Sequence, residues 1–178
     1  FLDLKFHDIP NTVAKALGSL SNLPIEFITL HLSGGEQMLK AAQVIRNEKM
    51  DHVNLLGVSY LTSLDENDMA AMWGITNTKQ AFSNLFNLAL KTGTQGIVCS
   101  AHELDIVKEC EWKSGDSLIK ACPGIRFKDE IASGETSDQK RVLDPEMAFK
   151  QGANYLVMGR SLTQAKDINS RVEELSKM

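Results

Sequence analysis

The longest apolar runs in the sequence are strand-sized, far short of the ~20 residues a membrane-spanning helix requires, so no helical span is expected. Cysteine is scarce. Cys99, Cys110 and Cys122 are an odd set with no CxxC pair, which reads as buried free thiols in a reducing cytoplasm rather than a disulfide framework. No metal-ligand cluster forms around the four histidines, and there is no Ser or Cys nucleophile motif. Positive charge is not in excess: 19 Lys+Arg stand against 23 Asp+Glu, a formal charge of −4. That argues against a nucleic-acid or anionic-membrane partner, which would want a basic face, and leaves room for a local basic site for a phosphorylated small molecule. A signal-peptide pattern and a low-complexity linker are both missing, so residues 1–178 read as a single domain. With 43% hydrophobic and 24% charged residues, the composition is that of a soluble globular chain.

What is present is alternation. β-rich runs at residues 1–6, 26–32, 52–60, 96–99, 118–121 and 155–158 are separated by segments of helical periodicity at 11–21, 36–47, 76–92, 103–111 and 145–151. A further short helix is expected at 65–72. Such order is the signature of βα units around a parallel sheet. Asp144-Pro145-Glu146 supplies an N-cap with proline at the first helical position, and Gly152 sits where a C-cap belongs. Residues 127–144 are polar, Gly/Ser/charge-rich and aperiodic, which reads as a functional lid loop. At about 30 residues per βα unit, 178 residues hold about six. Length alone favours an open sheet over a (β/α)8 barrel, which rarely falls below ~200 residues. The chain opens on Phe1, inside an apolar run with no cap or turn before it, and is expected to begin mid-fold.

The first strand carries charges where a parallel sheet has little room for them. In Phe1-Leu2-Asp3-Leu4-Lys5-Phe6, period two places Leu2, Leu4 and Phe6 on one face, fit to pack under helices, and Asp3 with Lys5 on the other. Such a pair is either an ion pair at an exposed strand end or part of the C-terminal rim, where α/β active sites are built. Asp8 follows, ahead of Ile9-Pro10-Asn11-Thr12. A lysine flanked by carboxylates holds its charge, which makes it a proton donor rather than a Schiff-base nucleophile. An anionic substrate group pressed against Asp3 at about 4 Å meets a repulsion of roughly 4 kcal/mol at an effective dielectric of 20, relieved if it departs as CO2.

Residues 1–12 closely resemble the Asp-x-Lys-x-x-Asp-Ile-Pro-x-Thr signature of the bacterial orotidine 5′-phosphate decarboxylases. The resemblance runs on through Leu30-His31-Leu32-Ser33-Gly34-Gly35, Leu61-Thr62-Ser63 and Cys122-Pro123-Gly124-Ile125-Arg126. It continues in Ser137-Asp138-Gln139-Lys140-Arg141 and Met158-Gly159-Arg160-Ser161. It implies a (β/α)8 TIM barrel of which this chain carries about six of eight βα units, from the third strand onward. The two units outside it would bring a further aspartate and lysine. It also implies a homodimer and a carboxy-lyase that converts orotidine 5′-phosphate (OMP) to UMP in pyrimidine synthesis with no metal or organic cofactor.

On that resemblance Lys5 matches the catalytic proton donor and Asp3 the carboxylate facing the substrate carboxylate. Asp8 matches a further catalytic carboxylate that, with Thr12, reaches the neighbouring subunit's site, and Ile9 and Thr12 match substrate-binding residues. Thr62 looks like the residue that hydrogen-bonds the pyrimidine edge, and Pro123 lines the pyrimidine pocket. Arg126, Gln139, Gly159 and Arg160 match phosphate contacts; Gly159-Arg160 is also a plausible anion site on physical grounds, a small residue followed by a cation at a helix start. His31 reads as a structural histidine, with a place in the charged network as its alternative. His7 reads as a loop residue. Two other functions fit less of the sequence. One is a magnesium-dependent keto-sugar phosphate decarboxylase or hexulose-phosphate synthase, which shares the Asp-x-Lys-x-x-Asp framework but not the Ile-Pro-Asn-Thr continuation. The other is an inactive ligand-binding fragment.

Overall fold

The computed structural model describes residues 1–133 and 142–178. Its parallel strands are β1 Leu2–Phe6, β2 Phe27–His31, β3 Asn54–Val58, β4 Gly96–Val98, β5 Ile119–Pro123 and β6 Tyr155–Val157. They alternate with α1 Pro10–Ser19, α2 Gly35–Lys49, α3 Glu66–Trp73, α4 Thr78–Thr92, α5 Leu104–Ser114, α6 Lys128–Ser133, α7 Pro145–Lys150, α8 Arg160–Thr163 and α9 Ile168–Ser176. Each expected strand is found, within a few residues of its expected ends. The strands follow one another in chain order from β1 to β6, as in the (β/α)8 barrel and unlike a doubly wound sheet, whose order reverses, so the open-sheet reading that length favoured does not hold.

The described residues gather into two compact units that interleave along the chain. The first comprises Phe1–Tyr60, Asn77–Val98 and Ile106–Ile119. In it β1, β2, β3 and β4 lie side by side, with β2 and β3 in unbroken register from Phe27↔Asn54 to His31↔Val58. Ile28, Leu30, Leu55, Leu56 and Ile97 fill the sheet's interior, and Leu17, Leu39 and Phe86 are fully buried on the helices. Near-continuous apolar strands are what a parallel sheet covered on both faces requires. Gly96 is fixed by space: a Cβ there would lie 2.5 Å from the Ile119 carbonyl oxygen.

The second unit comprises Leu61–Thr76, Cys99–Asp105 and Lys120–Met178. The Lys120–Pro123 part of β5 pairs with β6 from Ala121↔Tyr155 to Pro123↔Val157. Its helix ends follow their residues. Asp65 and Asp68 form a reciprocal capping box on α3, and Asp144 accepts a hydrogen bond from the Met147 N–H at 3.2 Å with Pro145 at the first helical position. Gly152, at φ 95°, follows the end of α7 in the left-handed region that glycine tolerates.

Three helices lie outside the sequence-based expectation. One is α6, at the start of the stretch read as aperiodic; it opens where the Glu130 carboxylate accepts from the Phe127 N–H at 2.9 Å. The others, α8 and α9, follow β6; of α8 only the start at Gly159-Arg160 is expected, and of α9 nothing. Residues 134–141, the middle of the expected lid and all of the Ser137–Arg141 motif with Gln139, lie outside the described residues.

Candidate active site

Strand β1 is not a regular strand. Its register with β2 runs Leu2↔Ile28 and then Phe6↔Leu30, so three residues of β1 stand opposite the single residue Thr29. The bulge centres on Lys5, whose φ of 49° makes it the one described non-glycine residue in the left-handed region. For a side-chain-bearing residue that conformation costs about 1–2 kcal/mol and is held only where its surroundings require it. The break in the pleat also corrects one expectation. Leu4, expected to pack under helices with Leu2 and Phe6, is 48% exposed.

Asp3 and Lys5 meet as their shared face foretold. Lys5 Nζ donates to Asp3 Oδ2 at 2.5 Å. Asp3 Oδ1 accepts from the Thr29 hydroxyl at 2.8 Å, and the Thr29 oxygen accepts the Lys5 backbone N–H at 2.9 Å. Burial pulls the Asp3 carboxyl upward, but the hydrogen bonds from Lys5 and Thr29 outweigh it and hold the group below the usual carboxylate range. His31 ends β2 beside this pair, its ring centroid 5.1 Å from that of His7. Burial first, then His7 and Lys5, push the His31 imidazole below its usual value.

Asp8 stands apart from the pair. Its Oδ1 accepts the Ile9 N–H at 2.7 Å in an exposed turn, and the described contacts of Lys5 run to Asp3 instead. Ile9 is 66% exposed at the N-cap of α1, and Thr12 sits in that helix's first turn, its N–H on the Ile9 carbonyl at 3.0 Å. Asp8, Ile9 and Thr12 thus form one outward-facing corner.

The remaining matched residues lie in the second unit. Thr62 is buried in the turn after β3, and Pro123 closes β5. Arg126 is buried, its N–H donating to the Leu143 carbonyl at 3.1 Å and its Nη1 to the Ile125 carbonyl at 2.9 Å. Gly159 caps α8 and receives the Leu162 and Thr163 N–H groups on its carbonyl, while the space over its Cα is open: a Cβ would meet nothing within 4 Å. Arg126 and Arg160 line a common cleft of about 760 Å³.

That cleft has its own bracing. Glu130 accepts from the Ser161 hydroxyl at 3.0 Å and from the Phe127 N–H, tying α6 to α8. Arg171 bridges Asp129 at 2.5 Å and Glu174 at 3.2 Å, with its guanidinium 4.1 Å from the centre of the Phe127 ring. The Arg171 hydrogen bond holds the Asp129 carboxyl below its ordinary value. Thr29, Glu130 and Arg171 were not singled out in the sequence. A threonine inside a β-rich run looks like an ordinary β-former, and the acidic residues look like solvated charge. The Phe127-x-x-Glu130 spacing is a signal that could have marked the start of α6.

The model of the orotidine 5′-phosphate decarboxylase / HUMPS family matches residues 1–175. An orotidine 5′-phosphate decarboxylase of Legionella pneumophila (strain Paris) is 41% identical over 177 residues, covering 98% of this chain and 74% of the relative. One of Idiomarina loihiensis is 39% identical over 175 residues, covering 98% of this chain and 73% of the relative. A crystal structure of orotidine 5′-phosphate decarboxylase from Lactobacillus acidophilus superposes with a TM-score of 0.78 at 31% identity, covering 99% of this chain and 73% of that one. The chain therefore spans about three quarters of the length of these relatives and belongs to the orotidine 5′-phosphate decarboxylase / HUMPS family.

Proposed function

We infer that the protein catalyses the decarboxylation of orotidine 5′-phosphate to UMP, a carboxy-lyase step of pyrimidine biosynthesis. The observation that carries this reading is the Lys5–Asp3 pair, a cation and an anion fixed against each other at a strand end by a bulge. In the reaction the bond from C6 of the pyrimidine to the carboxylate breaks, CO2 leaves, and the electron pair stays on C6. The Lys5 ammonium lies next to that developing charge, stabilises it, and gives C6 a proton; water then restores the proton to Lys5. Asp3 holds the ammonium in place and opposes the substrate carboxylate, an interaction that disappears as CO2 departs. This chemistry needs no metal or organic cofactor.

Arg126, Gly159 and Arg160 are assigned to the 5′-phosphate, for which two guanidinium groups and an open backbone approach are suited. Thr62 and Pro123 are assigned to the pyrimidine. The exposed corner of Asp8, Ile9 and Thr12 fits a surface completed by a second copy of the chain in a homodimer, as the resemblance implies. The protein is assigned to the cytoplasm. Among the described residues no helix is long and apolar enough to cross a membrane. The hexulose-phosphate reading is disfavoured by the Ile9-Pro10-Asn11-Thr12 continuation and by relatives named for the OMP reaction.

Lys5→Ala tests the assignment directly. UMP formation from OMP is expected to fall by about 10²–10⁴-fold, the contribution typical of a positioned proton donor. Turnover near the wild-type rate removes Lys5 from this role. In the same assay EDTA is expected to leave the wild-type rate unchanged; loss of turnover with EDTA would instead favour the magnesium-dependent alternative.

A further inference from the structure

We propose that Thr29 is a positioning residue for the decarboxylation, its single hydroxyl clamping both the backbone and the counter-ion of Lys5. The proposal rests on the OMP reading, since it assigns Thr29 through Lys5 and Asp3. Three observations support it. Thr29 is fully buried in β2, between the core residues Ile28 and Leu30. It lies opposite the bulge, where β1 has three residues against its one, so the Lys5 N–H is taken up by a side-chain oxygen at 2.9 Å. The same hydroxyl then sends its one proton to Asp3 Oδ1 at 2.8 Å, while Asp3 Oδ2 receives the Lys5 ammonium.

The hydroxyl therefore closes a loop: Lys5 backbone to Thr29, Thr29 to Asp3, and Asp3 to the Lys5 ammonium. A hydroxyl is the smallest group that both accepts and donates, and this position needs both. The backbone link holds Lys5 at a φ that side-chain-bearing residues seldom adopt. The side-chain link fixes the direction of the Asp3 carboxylate, and so where the ammonium sits. Threonine also suits the site through its branched Cβ, which restricts χ1 and keeps the hydroxyl aimed. Asp3 otherwise faces His31, on β2, whose ring lies against His7.

Thr29→Val keeps the shape and removes the hydroxyl; Thr29→Ser keeps the hydroxyl and removes the methyl. In the full chain, Thr29→Val is expected to lower kcat about 10- to 100-fold, the range for losing a hydrogen bond to a charged group. KM for OMP should stay within about threefold, because the phosphate is held by other residues. Thr29→Ser should restore most of the rate. A spectroscopic readout separates positioning from packing. The carboxyl carbon signal of Asp3, assigned in NMR by comparison with Asp3→Asn, should titrate at higher pH in Thr29→Val and return toward wild type in Thr29→Ser. The proposal is overturned if Thr29→Val turns over within twofold of wild type, if Ser loses as much as Val, if the loss falls on KM alone, or if the Asp3 titration does not move. Absence of OMP turnover in the wild-type protein would overturn the functional reading itself, a different outcome from an insensitive Thr29.

Discussion

The two groups of candidate residues are built in opposite ways. The Asp3–Lys5 pair sits on a strand whose distortion is held by a fully buried hydroxyl, and it rests on an apolar sheet in which Ile28, Leu30 and Leu55 have no exposure. The cleft that holds Arg126 and Arg160 is made of a strand end, a bridge and short helices, and is braced by charged side chains: Glu130 to Ser161, and Arg171 to Asp129 and Glu174. On the proposed function, the difference follows from what each group would do. A group that moves a proton has to be placed to a fraction of an ångström, and the hydroxyl of Thr29, fully buried in β2, supplies that anchoring. Groups that bind a phosphate exchange one set of water and side-chain partners for another, and an exposed charge on a short helix, as Arg160 is, does so at little cost.

The contrast can be broken by substitutions of graded effect. Replacing Asp3 by Asn keeps an oxygen for Thr29 but removes the charge that holds the Lys5 ammonium. A loss of about 10- to 100-fold in kcat is expected, with KM little changed, in steady-state assays of UMP formation. The sign of the pH effect follows from the carboxyl's depressed value. The ionised form contributes above the ordinary carboxylate range, and that contribution is lost only as pH falls through the lower folded-state value. Arg160→Ala should behave in the opposite manner, raising KM about tenfold or more with a smaller change in kcat. Should both variants act on kcat alone, the division between placing and binding fails. The smallest effect belongs to Lys128→Ala, which removes an exposed ion pair with Glu146 at 2.7 Å. Thermal denaturation should show no measurable shift in Tm.

Much of this was legible in the residues because the relevant signals are local. Charges at positions 3 and 5 of an apolar strand can be seen with period two alone, and their meeting follows. The same holds for Asp144-Pro145 and for the glycine after α7, where caps are written in adjacent residues. Thr29 was not legible, since its role arises from a register shift between strands 24 residues apart in sequence. The exposure of Leu4 comes from the same bulge and was missed for the same reason. Helices α6 and α8 are six and four residues long, too short to show a period. For α9 the signals were present in Asp167, whose side chain accepts the Ser170 N–H at 3.1 Å, and in the spacing of Ile168, Val172 and Leu175. The Arg126–Arg160 cleft was half legible: the cations stood out, while the carboxylates bracing it come from elements brought together only by the fold.

The proton step itself offers the most direct test of the assignment of Lys5. By microscopic reversibility, a group that protonates C6 of the nascent UMP must also remove the C6 proton from bound UMP. UMP incubated with the wild-type protein in D2O is expected to acquire deuterium at C6, followed by proton NMR, and Lys5→Ala should abolish the exchange. Exchange by Lys5→Ala at the wild-type rate would contradict Lys5 as the proton donor.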